Sequence, residues 1–376
     1  MTPTAHTDRL IAVARQVVEA LPDRNVRAAV LYGSVAWGDA DAASDLDIML
    51  LLDQPAVQRT VTRERVTDLL SHPLPHGPLF ADLDRVSTTS FEEAIAQGDG
   101  GERVTYSIIL RDTESFYARI QGQVSATFFQ PTVRAARFEA RRGQAEAHRT
   151  ALQVALGTDD LLAALHARLA VQEAGAALIA LDDGRYSTSH AVESTERALQ
   201  RFEADDLVAP FRQALALEPS SHRVTRSLRA YAAFADALKS WVEDPSIGER
   251  LSVEDQAWAE FTYGPHAYEE LGHKVSVLTL EGRVPVLLSY LDGLLLVPVR
   301  INIGKMLALR ATGTAAWMTI PEFHGALSQE AHLYQEWIAA LRLSPLPQQI
   351  STADDLARRL LEIGRAACPV ASVRVP

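Results

Sequence analysis

Apolar positions recur at helical spacing from the start of the chain: Leu10, Val13, Ala14, Val17 and Leu21 follow a cap at Thr7 or Asp8, and Pro22 with Asp23 ends that helix. Val26–Tyr32 is an apolar run of strand length that stops at Gly33. The next run, Asp45–Leu52, has a period of two. It puts Asp45, Asp47, Met49 and Leu51 on one face and Leu46, Ile48, Leu50 and Leu52 on the other. Both faces turn apolar beyond Asp47, so this strand belongs in a sheet covered by helices on both sides. The pattern then predicts a charged helix over Thr60–Leu70 and the loop Ser71–Pro78. A third strand, Leu79–Ser87, carries Asp82 and Asp84 on one face. A capping box at Ser90-Phe-Glu-Glu93 starts a further helix, before a short strand at Tyr106–Leu110 and a helix over Ser115–Val124.

From Pro131 the texture becomes alanine-rich and amphipathic. Helices are expected over Pro131–Ala155, Asp159–Asp182, His190–Glu203, Arg223–Trp241 and Val253–Leu271. At His273 it changes again. Val275–Leu280, Val284–Tyr290 and Leu294–Ile301 read as strands joined by Glu281-Gly-Arg283 and Leu291-Asp-Gly293, which are hairpin signals. Helices Gln329–Arg342 and Thr352–Ala366 close the chain. The expected fold class is α+β: a small mixed-sheet domain over 1–128, a helical domain over 129–272, and a C-terminal unit of β-hairpin plus helices over 273–376.

Bulk properties narrow the function. A chain of 376 residues with 47% hydrophobic and 22% charged residues suits two or three globular domains. A formal net charge of −12 disfavours broad binding to nucleic-acid phosphates. One cysteine, Cys368, leaves no internal disulfide framework and fits a reducing compartment. Met1–Asp23 lacks a signal-peptide layout, and Val286–Val299, interrupted by Asp292 and Gly293, is too short to span a bilayer. A cytoplasmic location without membrane attachment is expected. Only Lys239, Lys274 and Lys305 are lysines, so most candidate phosphate-holding cations are arginines, suited to bidentate contact.

The chemistry concentrates in Leu31–Leu50. Gly33 lets the backbone approach an anion closely, and Ser34 offers a hydroxyl and an N–H to a phosphate group. After a spacer of ten residues Asp45 and Asp47 stand about 7 Å apart along one strand face. Attack on a nucleotide α-phosphate needs charge stabilisation at the attacking and leaving oxygens, which two Mg²⁺ ions on such carboxylates supply. Asp39 and Asp41 read as solvent-facing loop acids, and Ser44 as an organiser of the turn before Asp45.

Gly33-Ser34, the ten-residue spacer and Asp45-Leu-Asp47-Ile48 resemble the signature of the DNA polymerase β-like nucleotidyltransferase superfamily, closest in form to its small antibiotic and minimal members. The resemblance covers about the first third of the chain. It implies a third carboxylate from a later strand, Asp82 in preference to Asp84, as metal ligand and as acceptor of the proton from the attacking hydroxyl. It further implies an NTP, ATP by default, held at Gly33 and Ser34. A nucleoside monophosphate would pass to a small-molecule hydroxyl, such as that of an aminoglycoside-like antibiotic, with the helical domain supplying the acceptor pocket. A toxin-like or regulatory transferase acting on tRNA or protein is the alternative enzyme, and a silent nucleotide-binding protein the alternative outside enzymes.

Other groups have blander readings. Arg134, Arg137 and Arg141 share one helical face and read foremost as a solvated stripe making ion pairs with acids such as Glu139. His190 and Tyr186 beside Gly184 read as local capping or packing groups. The histidines show no zinc spacing, and no Walker A or Gly-x-Gly-x-x-Gly motif supports another nucleotide fold.

Overall fold

The computed structural model describes residues 5–22, 25–53, 59–70, 78–98, 100–187 and 190–368. Asp23 and loop residues 71–77, with His72 and His76, lie outside the described residues. By contact the chain forms two compact units. The first comprises Met1–Phe128, Ala235–Glu281 and Ala308–Ala315; the second comprises Phe129–Phe234, Gly282–Leu307 and Ala316–Pro376. The first unit thus takes in Ala235–Glu281, most of which the sequence pattern assigned to a separate helical domain.

Its centre is a five-stranded mixed sheet in the order β3-β4-β2-β1-β5. The strands are β1 (Val26–Tyr32), β2 (Leu46–Leu52), β3 (Thr60–Arg65), β4 (Phe80–Ser87) and β5 (Ile108–Asp112). β2 and β4 run parallel, and every other neighbouring pair is antiparallel. The period of two decides the layers. Leu31, Leu46, Ile48, Leu50, Ala81 and Leu83 face the helix Ala5–Ala20 through Leu10, Ala14 and Val17. Ala28, Val30, Met49 and Leu51 face Phe91, Val104, Phe116, Tyr117 and Ile120 on the other side. Burial on both faces is what the apolar run beyond Asp47 requires.

Several expectations are corrected. Thr60–Arg65 is a strand and not part of a helix, because Thr60, Val61 and Thr62 favour extended backbone and pair with Arg85, Asp84 and Leu83 of β4. Helix there is confined to Val66–Leu70. The helix Thr88–Ala96 is capped by Ser87, whose side chain accepts from the Ser90 N–H, so Ser90 is inside the helix and not its cap. Val253–Leu271 is broken at Gly264-Pro265 into Val253–Tyr263 and Pro265–Leu280.

The expected C-terminal β-hairpin unit is also replaced by helix. Val275–Leu280 ends the helix Pro265–Leu280, and Val284–Leu294 runs through a wider turn at Leu295–Val299 into Arg300–Thr312. Glu281-Gly-Arg283 is a helix-to-helix turn, with Gly282 at φ 70°. Leu291-Asp-Gly293 lies within a helix. A continuous apolar run does not separate a buried strand from a buried helix, and here burial on all sides made the run apolar. The widened turn contains Pro298, which has no N–H to give the ladder. Val284–Thr312 is long and apolar enough to cross a membrane by length and composition, and more than half of its most apolar 18-residue stretch is buried within the protein.

The second unit is helical among the described residues. Asp160–Leu181 is almost wholly buried, with Pro131–Ala155 and Pro347–Ala367 against it. A Cβ at Gly364 would stand 2.3 Å from Phe138, so only glycine permits that helix approach. Asp292, fully buried, accepts from Arg223 at 2.7 and 3.0 Å and also from Arg168, which donates to the Leu341 carbonyl at 3.1 Å. Removing the carboxylate strands two buried guanidinium groups, which costs far more than the pair contributes. Asp292→Ala is expected to destabilise the protein by about 3–5 kcal/mol, read from chemical denaturation. A loss of less than about 1 kcal/mol would show that the triad is not a structural charge cluster.

Candidate active site

Strand register builds the site. Across the sheet, Arg63 of β3 stands opposite Asp82 of β4, Asp82 beside Asp47 of β2, and Asp47 opposite Tyr32 of β1. Residues opposite one another share a face, so these four side chains form one row. Asp45 lies just before β2 and, two residues from Asp47, on the same face. The row falls where apolar alternation gives way, at the start of β2 and the end of β1. Carboxylate oxygens of Asp45, Asp47 and Asp82 all lie within 4.8 Å of one another.

Asp84, one strand pair further along, stands beside Met49. Arg59 holds its carboxylate with two bonds of 2.9 and 2.7 Å while resting over the Trp258 ring at 5.5 Å. The structure therefore brings together three of the four expected acids, and among the described residues Asp84 is outside the cluster.

Gly33 begins the short helix Gly33–Trp37 with φ +71°, a conformation that L side chains rarely adopt, and a Cβ there would stand 2.0 Å from Asp47 Oδ2. Its first contribution is therefore space for a carboxylate. Ser34 is buried and donates from Oγ to Ser44 Oγ at 3.1 Å. Ser44 Oγ in turn donates to Asp41 Oδ1 at 3.1 Å, and Asp41 accepts from the Ala43 N–H at 2.9 Å. Asp41 and Ser44 together shape the turn that delivers Asp45. Ser34 thus ties this turn to the end of β1.

Three further residues, silent in the sequence pattern, complete the surroundings. Arg63 donates to Asp82 through Nε and Nη2, both at 2.7 Å, and through Nη1 to Glu270 at 3.0 Å. Its guanidinium lies over the Phe261 ring at 4.4 Å. Lys274 donates to Asp45 Oδ2 at 3.2 Å and pairs with Glu270, one turn earlier on the helix Pro265–Leu280. The Thr-Val-Thr pattern could have placed Arg63 on a strand. Glu270 and Lys274 carried only their helical spacing, and Lys274 its rarity as a lysine.

The electrostatics follow from crowding in a place poor in water. Burial, then Asp45 and Asp82, push the Asp47 carboxyl well above the usual carboxylate range, against Lys274 and Arg103. Burial raises Asp82 to about 6, with Arg63 opposing and Asp45 and Glu270 adding. Asp45 is also penalised by burial, but Lys274 and Arg63 outweigh this and hold it below its ordinary value. Burial and Asp47 raise the Tyr32 phenol well above its usual range. Four acids, Asp45, Asp47, Asp82 and Glu270, meet two cations, Arg63 and Lys274, with Arg103 acting on Asp47 as well, so the cluster leans negative whenever its carboxyls are ionised. Three convergent carboxylates are the hard-oxygen donor set that Mg²⁺ or Mn²⁺ takes. The residues fit such an ion.

The arginine stripe has another occupation. Arg134 donates to the Leu181 carbonyl and Arg137 to that of Ala180 at 3.2 Å, while Arg141 pairs with Glu173 at 3.0 Å and lies over the Tyr186 ring at 5.4 Å. These side chains hold the end of the helix Asp160–Leu181. Glu193 accepts locally from His190 Nδ1 at 2.9 Å.

The sheet and its carboxylate row define a class: a domain that gathers acids able to hold a metal ion beside a glycine-led turn. Residues 14–88, which hold all of that row, match the family model of the nucleotidyltransferase domain. The match places a nucleotidyltransferase-type domain of the DNA polymerase β-like superfamily at residues 14–88, and it supports nucleotidyl transfer as the chemistry of this region. The chain is also similar to the crystal structure of a nucleotidyltransferase-like protein from Exiguobacterium sibiricum. That match has 12% identity, covers 87% of this chain and 89% of that one, and has a TM-score of 0.28. No curated protein matches the sequence.

A raised carboxylate pKa carries a stability signature. Asp82, at about 6 when folded, binds more protons folded than unfolded between about pH 4 and 6. Its contribution is therefore best below the ordinary carboxylate pKa and is lost as pH rises through about 6. Asp47 acts in the same sense, and Asp45, held low, in the opposite one. Asp47→Asn is expected to raise the melting temperature of metal-free protein by a few degrees at pH 7 and to change it little at about pH 4, where the native carboxyl is already protonated. A fall at pH 7 in thermal melts would contradict this account.

Proposed function

We propose that this protein transfers a nucleoside monophosphate from an NTP, ATP by default, to a hydroxyl of a small molecule and releases pyrophosphate. The observation that carries this reading is the convergence of Asp45, Asp47 and Asp82 within 4.8 Å on one sheet face beneath Gly33. In it, Asp45, Asp47 and Asp82 hold Mg²⁺, in the two-ion arrangement expected of this chemistry. When bound, the metal neutralises the triphosphate and the charge that develops on the attacking and leaving oxygens. Gly33 and Ser34 face the β- and γ-phosphates, where a residue without a side chain admits close approach. The acceptor oxygen forms its bond to the α-phosphorus as the bond to the bridging oxygen breaks. Asp82 takes the hydroxyl proton.

A small acceptor is favoured over tRNA by two observations. The net charge is −12, and the stripe Arg134, Arg137 and Arg141 is engaged with carbonyls and with Glu173 rather than presented for tracking a phosphate backbone. The same acidity suits a cationic acceptor, of which an aminoglycoside-like antibiotic is the leading class. A cytoplasmic setting, where NTP and Mg²⁺ are plentiful, accompanies this reading.

Purified protein incubated with Mg²⁺, each α-labelled NTP and a panel of hydroxylated, cationic small molecules is expected to label a small molecule and release pyrophosphate. Asp47→Asn is expected to lower the rate by at least about 10³-fold while keeping the fold, as judged by circular dichroism. Label on tRNA or on protein would replace the acceptor class. Retained transfer by Asp47→Asn would remove Asp47 from the site, and binding of nucleotide without transfer of label would leave a nucleotide-binding protein.

A further inference from the structure

Cations of the chain itself already occupy the oxygens that a metal would need. Both oxygens of Asp82 accept from the Arg63 fork at 2.7 Å, and Asp45 Oδ2 accepts from Lys274 at 3.2 Å with Arg63 at 3.9 Å. Among the described residues, no hydrogen bond or ion pair reaches the Asp47 carboxylate, though Lys274 and Arg103 act on it at longer range. Arg63 is not a surface side chain resting on a convenient acid. It is about nine-tenths buried, it reaches Glu270 at 3.0 Å, and Phe261 supports its flat face.

We propose that Arg63 is a positioning residue that withholds Asp82 from metal until nucleotide arrives, so that metal and NTP bind cooperatively. This rests on the metal-site reading above. A carboxylate whose two oxygens accept from a buried guanidinium can turn to a cation only by breaking that pair, and a freed buried guanidinium is costly without a new anion. The triphosphate supplies that anion, in the oxygen geometry that the arginine fork matches. Metal alone therefore leaves Nε and Nη2 of Arg63 without an acceptor, Glu270 holding only Nη1, whereas metal with nucleotide exchanges one partner of that fork for another. By linkage, each ligand strengthens the other by the same factor.

The test is calorimetric titration of the full-length protein with Mn²⁺, with and without α,β-methylene ATP, which lacks the scissile bridging oxygen. Wild type is expected to bind Mn²⁺ weakly alone and at least about tenfold more tightly with the analogue. Arg63→Gln is expected to bind Mn²⁺ alone at least about tenfold more tightly than wild type and to lose most of the enhancement by nucleotide. Damage to the fold would weaken the site, so a gain in affinity is a readout that a merely structural arginine would not give. Should Arg63→Gln fail to fold, Phe261→Leu removes only the ring beneath the guanidinium, and a smaller gain in the same direction is expected. Unchanged or weaker Mn²⁺ affinity in the folded variant overturns the proposal and leaves the metal site standing, provided that Asp47→Asn lowers Mn²⁺ affinity. Absence of Mn²⁺ binding by wild type and Arg63→Gln, with and without nucleotide, overturns both.

Discussion

Mutual repulsion among Asp45, Asp47 and Asp82, three carboxylates gathered on the covered face of a sheet, is the constraint around which the first unit is arranged. In water such a cluster would cost little; in a place of low polarity each charge raises the cost of the next. Asp47 sits at the start of β2 and Tyr32 at the end of β1, and the side chains of Asp45 and Asp82 keep 14% and 11% exposure. Gly33 makes room for Asp47, and the Asp41–Ser44 turn fixes the approach to Asp45. Arg63 and Lys274, from elements far apart in sequence, supply part of the missing positive charge. What remains uncompensated is negative charge on one face of the sheet.

The second unit uses the same residue types to the opposite end. Asp292, Arg168 and Arg223 are also buried and ion-paired, but there one carboxylate serves two guanidinium groups. Both oxygens of Asp292 accept from arginine, and no second acid joins it among the described residues. Such a cluster holds helices in register and has nothing to offer a cation. Surplus negative charge, rather than burial of charge, is what separates a site from a strut.

What could be read from the chain followed from how local the governing forces were. β1, β2 and β4 were legible because alternation, burial and the Asp-x-Asp spacing are all short-range signals. Thr60–Arg65 is a strand that reads as helix, because Arg63, Glu64 and Arg65 look like an exposed helix unless β4 is known to lie alongside. Val284–Thr312 was misread because an apolar run records burial and not backbone geometry. Lys274 and Glu270 were invisible as site residues: Glu270 meets Arg63 across 207 positions of sequence, and no local rule connects them. Half of the site's charge balance therefore lay outside the motif that announced it.

Asp82 and Asp84 show how a local tie is resolved by pairing. A period of two gives them one face, and sequence alone weighs them almost evenly. The parallel register then sets Asp82 beside Asp47 and Asp84 beside Met49, about 7 Å deeper along the strand. At that depth Asp84 is almost wholly buried, and a lone carboxylate would be costly, so it is met by Arg59 with two bonds. Asp82 is met by an arginine as well, yet its neighbours are two further acids. One pair is self-sufficient. The other is a truce in a cluster that still carries negative charge, and only such a pair gives a cation reason to intervene.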